Sequence, residues 1–377
     1  MASGWTVRAD FSLKSGRLGS GRFSLGHCAL TVWAALVAIL LTHGAASAVE
    51  VPPFEVGSAP NSVLGGVWEG YPQEQAAEME VAPAEAVGSW TVDYRVRQFC
   101  DSRTNYEFGT PELPPDGWTP LSRLCFPLDS TWHGLDVGID RPNWELHLSW
   151  MTPMERGIDG DMEDYDWTIP GADFTDLGFT KQHWTDGQML DLGFNLRLWN
   201  DPFGWPVEVW GAGGFRWQRF GLMCYDLAQV KWDDEWLSPP YTEAGDVIAF
   251  KQEYAMGYLG GQLRTRLFPT ARRPIRVVFQ GDWAGVGARN VDHHLLREGD
   301  RYTIETTHGS SWHLGLTADV PVTRRLEVGV AVDYLQIHTR GRHRLLNEPL
   351  GQDYTWDNGV RVWSDQTWLT AFARVRF

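Results

Sequence analysis

The chain has 377 residues, 43% hydrophobic and 21% charged, with a mean hydropathy of -0.30; these values exclude disorder and a bundle of transmembrane helices. A formal charge of -16 disfavours nucleic acid as a partner and leaves basic peptides or proteins open. Its 21 Trp and 40 Gly, beside 4 Cys, are unusual for a cytosolic enzyme of this length.

Residues 1–48 read as a secretory signal peptide. Arg8, Lys14, Arg17 and Arg22 form a basic leader, an apolar stretch runs over 28–41, and Ala46-Ser47-Ala48 makes a small-x-small cleavage site. A membrane anchor is the alternative, but the stretch is shorter than the roughly 20 residues a spanning helix needs. Cleavage leaves Cys100, Cys125 and Cys224, which have no metal-ligand spacing; an odd number is not a disulfide framework, although one bridge could form. Residues 49–95, rich in Ala, Glu and Pro, read as a flexible extension ahead of a domain over 96–377.

From there the sequence alternates. In Trp144-Glu145-Leu146-His147-Leu148-Ser149-Trp150 every second residue is large and apolar. Leu190 to Leu198, Trp312 to Val320 and Leu326 to Tyr334 repeat the pattern. Period-two alternation is the sequence sign of strands with one apolar face. Short Pro-bearing turns occur at 140–143, 200–206, 268–274 and 321–325, and long polar connections at 110–120, 155–187, 222–247, 287–301 and 341–360. Four short turns alternating with five long connections imply ten antiparallel strands with both termini on the short-turn side. The predicted fold is all-β: a ten-stranded antiparallel transmembrane β-barrel with long extracellular loops and short periplasmic turns. Lipid forbids unpaired edges, so the sheet must close. Abundant Trp and Tyr suit interfacial girdles, and Leu369, Ala371, Ala373, Val375 and Phe377 share one face of a last strand that ends in an aromatic residue. A secreted β-sandwich is the competing fold.

The chemistry-bearing residues fall in two long connections. Asp164 and Asp166 are two apart, so on an extended segment they share a face; a close carboxylate pair shares a proton and holds a water or an oxyanion. Asp292 and His294 are also two apart, an arrangement in which the carboxylate orients the imidazole while its other nitrogen takes a proton from water. An Asp pair opposite an Asp–His dyad suits hydrolysis of a carbonyl compound. The alternative is a solvated acidic loop or a loose calcium site, although Gly160-Asp161-Met162-Glu163-Asp164-Tyr165-Asp166-Trp167 lacks the distal Glu of an EF-hand loop. No metal is expected: His293-His294 has no accompanying H-E-x-x-H or Cys/His cluster, and nothing in the spacing requires His183 to join it.

Gly160-x-Met162-x-Asp164-x-Asp166-Trp167 resembles the signature of the omptins, outer-membrane endopeptidases of Gram-negative bacteria, and Asp292-His293-His294 resembles their Asp-x-His dyad. Phe250-Lys251-Gln252-Glu253-Tyr254 and Phe174-Thr175-Asp176 resemble two further elements of that family, so the likeness spans roughly 100–377. It implies a peptidase without a catalytic metal, facing the outside of the cell. Asp292 and His294 would activate water, Asp164 and Asp166 would bind it and stabilise the oxyanion, and peptides would be cut near basic residues. Asp176, Glu107 and Asn290 would contact substrate; Asn290 stands where the family carries an acid. No cofactor is expected, but the resemblance raises lipopolysaccharide as a requirement for activity, bound on the outer wall by Phe215 and Arg219, with Trp217 where an acid is expected between them. A closed barrel has no edge to pair, so a monomer is expected. Two other functions remain in view: a surface adhesin or scaffold that kept the loop motifs, and a diffusion pore, which inward polar residues such as Glu145, His147, Asp191 and Arg197 should block.

Overall fold

The computed structural model describes residues 89–377 except 111–117, 169–172, 205, 234–235, 238–240, 272 and 300. The expected signal peptide, and the extension up to residue 88, lie outside the described residues. Strands β1 (Ser89–Phe99), β2 (Arg103–Thr110), β3 (Thr119–Pro127), β4 (Thr131–Asp140), β5 (Trp144–Pro153), β6 (Met162–Asp166) and β7 (Asp176–Asn200) come first. They are followed by β8 (Val207–Asp233), β9 (Trp236–Leu237), β10 (Tyr241–Leu267), β11 (Ile275–His294), β12 (Arg301–Pro321), β13 (Leu326–Asn347) and β14 (Gln352–Arg376). Residues 89–95, expected in the extension, therefore belong to the sheet.

Every ladder is antiparallel, and the sheet closes on itself. At the short-turn end the ring runs β1-β4-β5-β7-β8-β10-β11-β12-β13-β14 and back to β1. At the other end β2, β3 and β6 take the places of β1, β4 and β5, so both levels have ten staves. The first stave bends between β1 and β2, where Asp101 adopts a φ of 51°. The Asp129 carboxylate accepts from the amides of Asp101 and Ser102 at 2.9 and 2.8 Å, which pairs the donors that the bend removes from the ladder.

The apolar members of each alternation face outward. Leu192 is 43% exposed, Phe194 46% and Leu259 76%, and Leu146, Leu148, Trp283, Leu314 and Leu316 are exposed at similar heights. A water-soluble sandwich would turn these residues inward. An outward apolar belt around a closed sheet is the arrangement a bilayer demands.

The lumen is filled. Towards the short turns it holds ion pairs: Arg374 with Asp93 at 2.8 Å, Arg216 with Asp191 at 2.9 Å, and Arg264 with Glu145 at 2.5 Å. His313 bridges Asp282 and Asp333, and a cavity of about 230 Å³ lies among these side chains. Above them Phe99, Trp132, Trp184, Phe220, Tyr254 and Trp368 form a buried layer.

Much of what reads as long loop is paired strand. β7 and β8 stay paired up to Asp176 and Lys231, β11 and β12 up to His294 and Arg301, and β13 and β14 meet through a tight turn at Glu348–Leu350. Beyond the belt the outer face meets water, so these stretches carry no apolar alternation although their backbones still pair.

Candidate active site

The site lies inside the end of the barrel away from the short turns. On β11 the last large apolar outward residue is Trp283, and Asp292 follows roughly 30 Å further along the strand. Alternation points Asn290, Asp292 and His294 into the lumen together. Cross-strand register adds Phe250 of β10 and Thr303 of β12 on either side of Asp292, with Gln252 and Glu305 on either side of Asn290.

Asp292 is fully buried, and its Oδ2 lies 3.2 Å from His294 Nε2. Burial works against the Asp292 charge. The His294 imidazole, a hydrogen bond from the Tyr106 hydroxyl to the same oxygen, and Arg301 outweigh it and hold the carboxyl below its usual range. Burial also pulls His294 down, but Asp292 overrides it and, with help from Asp164, raises the imidazole above its ordinary value. Since Nε2 faces Asp292, Nδ1 is the nitrogen left to receive a proton from water.

The carboxylate pair comes from β6, a five-residue strand wedged between β3 and β7. Asp164 pairs with Leu124 and Gly178, and Asp166 with Ser122 and Asp176, so both acids face the lumen. Burial first, then the Asp166 charge, pushes the Asp164 carboxyl up to about 8. Burial also raises Asp166, with Asp176 adding to it and Ser122 opposing it. Asp164 stands in one cross-strand row with Leu124 and Tyr106, and the Tyr106 hydroxyl reaches Asp292, so the pair and the dyad share one mouth. Near neutrality the pair thus keeps a proton on Asp164 and presents a donor to whatever lies between it and the dyad.

Asp176 lies beside the pair and is already engaged, by Lys231 at 3.2 Å, Thr175 at 3.0 Å and Gln229 at 3.3 Å. Asn290 is fully buried one row below Asp292, and neither amide atom has a hydrogen-bond partner. Glu107 does not reach the mouth. It alternates away from the inward Tyr106, and its carboxylate takes Arg123 Nε at 2.6 Å and Trp118 Nε1 at 2.5 Å on the outer side. His183 and His293 also face outward; His293 stacks on Tyr302 at 4.0 Å. Among the described residues no group of three or more His, Cys, Asp or Glu is placed to hold a metal.

Phe215 and Arg219 both face outward. Arg219 contacts Asp186 at 2.8 Å and Glu253 at 3.7 Å, and Lys251 adds to the cluster, 3.0 Å from Glu253.

Three residues of the mouth escape a motif reading. Tyr106 is one position from the expected Glu107, and only the register of β2 decides between them. Glu305 and His343, joined at 2.8 Å, come from adjacent strands and carry no local signature.

No protein-family model matches the chain. A fungal relative, "Carboxypeptidase Y homolog A" of Paracoccidioides brasiliensis, is 27% identical over 154 residues. That stretch is 37% of this chain, which spans about a quarter of the relative's length (27%). Among solved structures, the outer membrane protease OmpT of Escherichia coli superposes with a TM-score of 0.66 over 77% of this chain and 97% of its own, at 16% identity. The translocator domain of the autotransporter NalP of Neisseria meningitidis covers 77% of this chain at a TM-score of 0.31. At such identities the likeness is one of fold: the chain is a closed antiparallel β-barrel built like that of the protease.

Proposed function

We propose that the chain is an outer-membrane endopeptidase whose site faces the outside of the cell. The observation that carries this reading is the convergence of two short-range pairs, Asp164 with Asp166 and Asp292 with His294, on one lumenal mouth. The OmpT-like barrel and the peptidase name of the fungal relative support it.

In this reading a water molecule lies between the pair and the dyad. His294 takes a proton from it through Nδ1 while Asp292 stabilises the imidazolium, and the oxygen adds to the peptide carbonyl carbon. The protonated member of the Asp pair donates to the developing oxyanion. The imidazolium then returns its proton to the amide nitrogen, the C–N bond breaks, and acid and amine leave. Substrates are peptides with basic residues near the cut, drawn by Asp176 and Glu305 beside the reacting centre; Asn290 contributes an amide rather than a charge. Lipopolysaccharide binds the outer wall at Phe215 and Arg219 and supports activity, and the barrel acts as a monomer.

The test is cleavage of a mixed peptide library by the refolded barrel in lipopolysaccharide, beside Asp292→Ala. Cuts that vanish in the variant are the expected result. A folded barrel that cuts nothing would instead be a surface adhesin or scaffold that kept the motifs.

A further inference from the structure

Tyr106 sits four staves from Asp292 around the upper ring, through β14, β13 and β12. Its hydroxyl nevertheless donates to Asp292 Oδ2, because its side chain crosses the lumen. The path is built. Pairing of β2 with Val362 and Leu124 turns Tyr106 inward, and its fully buried ring lies parallel to Phe126 and Phe250, at 6.4 Å and 17°, and at 5.7 Å and 10°. Phe126 and Phe250 stack on each other at 3.9 Å, which links the two walls, and Phe250 is the ladder partner of Asp292. The stack therefore fixes where the hydroxyl points.

We propose that Tyr106 is a positioning residue for the Asp292–His294 dyad, locking the carboxylate's orientation and tuning how strongly it acts on the imidazole. Tyr106 and His294 share Oδ2, while Oδ1 has no hydrogen-bond partner, so the carboxylate is held at one end by two donors. The phenol stabilises the carboxylate charge and so weakens its pull on the imidazolium. Without the hydroxyl the carboxylate turns more freely about its last torsion, and more of its charge falls on His294. His294 then becomes more basic, and a higher pH is needed to free it as a base. The other charged groups facing the dyad are Arg301 and Glu305 of β12, His343 of β13, Asp164 and Asp166 of β6, and Arg297 in the turn after β11. All of them stay in place when only the hydroxyl is removed. Tyr106 does not itself ionise in the working range, since burial and Asp292 push its phenol well above its ordinary value.

This inference rests on the peptidase reading for its consequence, and the experiment separates the two. Tyr106→Phe keeps the aromatic stack and removes the hydrogen bond. Nitrogen NMR of His294 in the refolded barrel gives its titration midpoint without any need for turnover. The expected result is an upward shift of roughly half a pH unit or more. The acid limb of kcat/KM should move by the same amount, with kcat down about tenfold and KM within about twofold. A fluorinated tyrosine at position 106, a stronger donor, should move the midpoint down. An unchanged midpoint in both variants overturns the proposal, even if kcat falls. A shifted midpoint in a barrel that cuts nothing leaves the positioning role standing and removes the peptidase reading alone.

Discussion

In the proposed mechanism the proton held on the Asp164–Asp166 pair, where burial pushes the Asp164 carboxyl up to about 8, sets the upper edge of activity. His294 must lose its own proton first, and its ordinary value is raised by Asp292. Cleavage should therefore rise at a pH above 6.5 and fall again as the pair ionises near 8. Asp164→Asn should flatten the alkaline fall; a descending limb identical to wild type would place that proton elsewhere. Stability follows the same proton. The folded pair keeps it in a range where the unfolded chain, at about 4, has lost it. Its contribution is whole below about 4 and lost by about 8, and His294 adds a contribution of the same sign. Thermal midpoints should fall between pH 5 and 9, and less steeply in Asp164→Asn. Asp292→Ala or His294→Ala should each lower kcat by about 10²- to 10⁴-fold while heat-modifiable gel migration still reports a folded barrel.

At the scale of single elements, the alternating strands were legible because lipid on one face and packed polar groups on the other enforce a period of two. Trp144 to Trp150 and Leu190 to Leu198 carry that pattern openly, and both fall where expected. β6 was not legible as a strand. Met162-Glu163-Asp164-Tyr165-Asp166 has an acidic inner face and a mixed outer one, so it reads as loop until β3 and β7 are seen on either side. The shared face of its two acids was legible, because spacing alone decides it. Glu107 marks the limit: a motif places it within one residue of the mouth, and pairing with Arg361 and Arg123 turns it outward. The lumenal ion pairs were legible only as inward polar residues, without their partners. Glu145 is one of them, and Arg264 meets it while lying over Trp210 at 3.9 Å. Glu145→Leu would strand a buried guanidinium, at a cost of about 3 kcal/mol. Chemical unfolding should shift accordingly, while cleavage at the far end of the barrel is retained.

For the molecule as a whole, one strand crosses three environments. β10 begins in water at Tyr241, passes the outer-wall charges Lys251 and Glu253, and enters the apolar belt that holds Leu259 and Leu263. All of these except Tyr241 are outward residues of the same alternation, so they differ in height rather than in face. A charge at belt height has no partner and no water. There an arginine costs about 2–4 kcal/mol, whereas near the interface it costs close to nothing. Leu259→Arg should therefore cut the yield of folded barrel in lipid vesicles severely, while Lys251→Arg, on the same face about 25 Å further along the strand, should not. The comparison holds face, strand and final side chain constant, with the charge new at belt height and already present at the outer wall. Equal yields from the two variants would mean that the bilayer does not sit at Leu259.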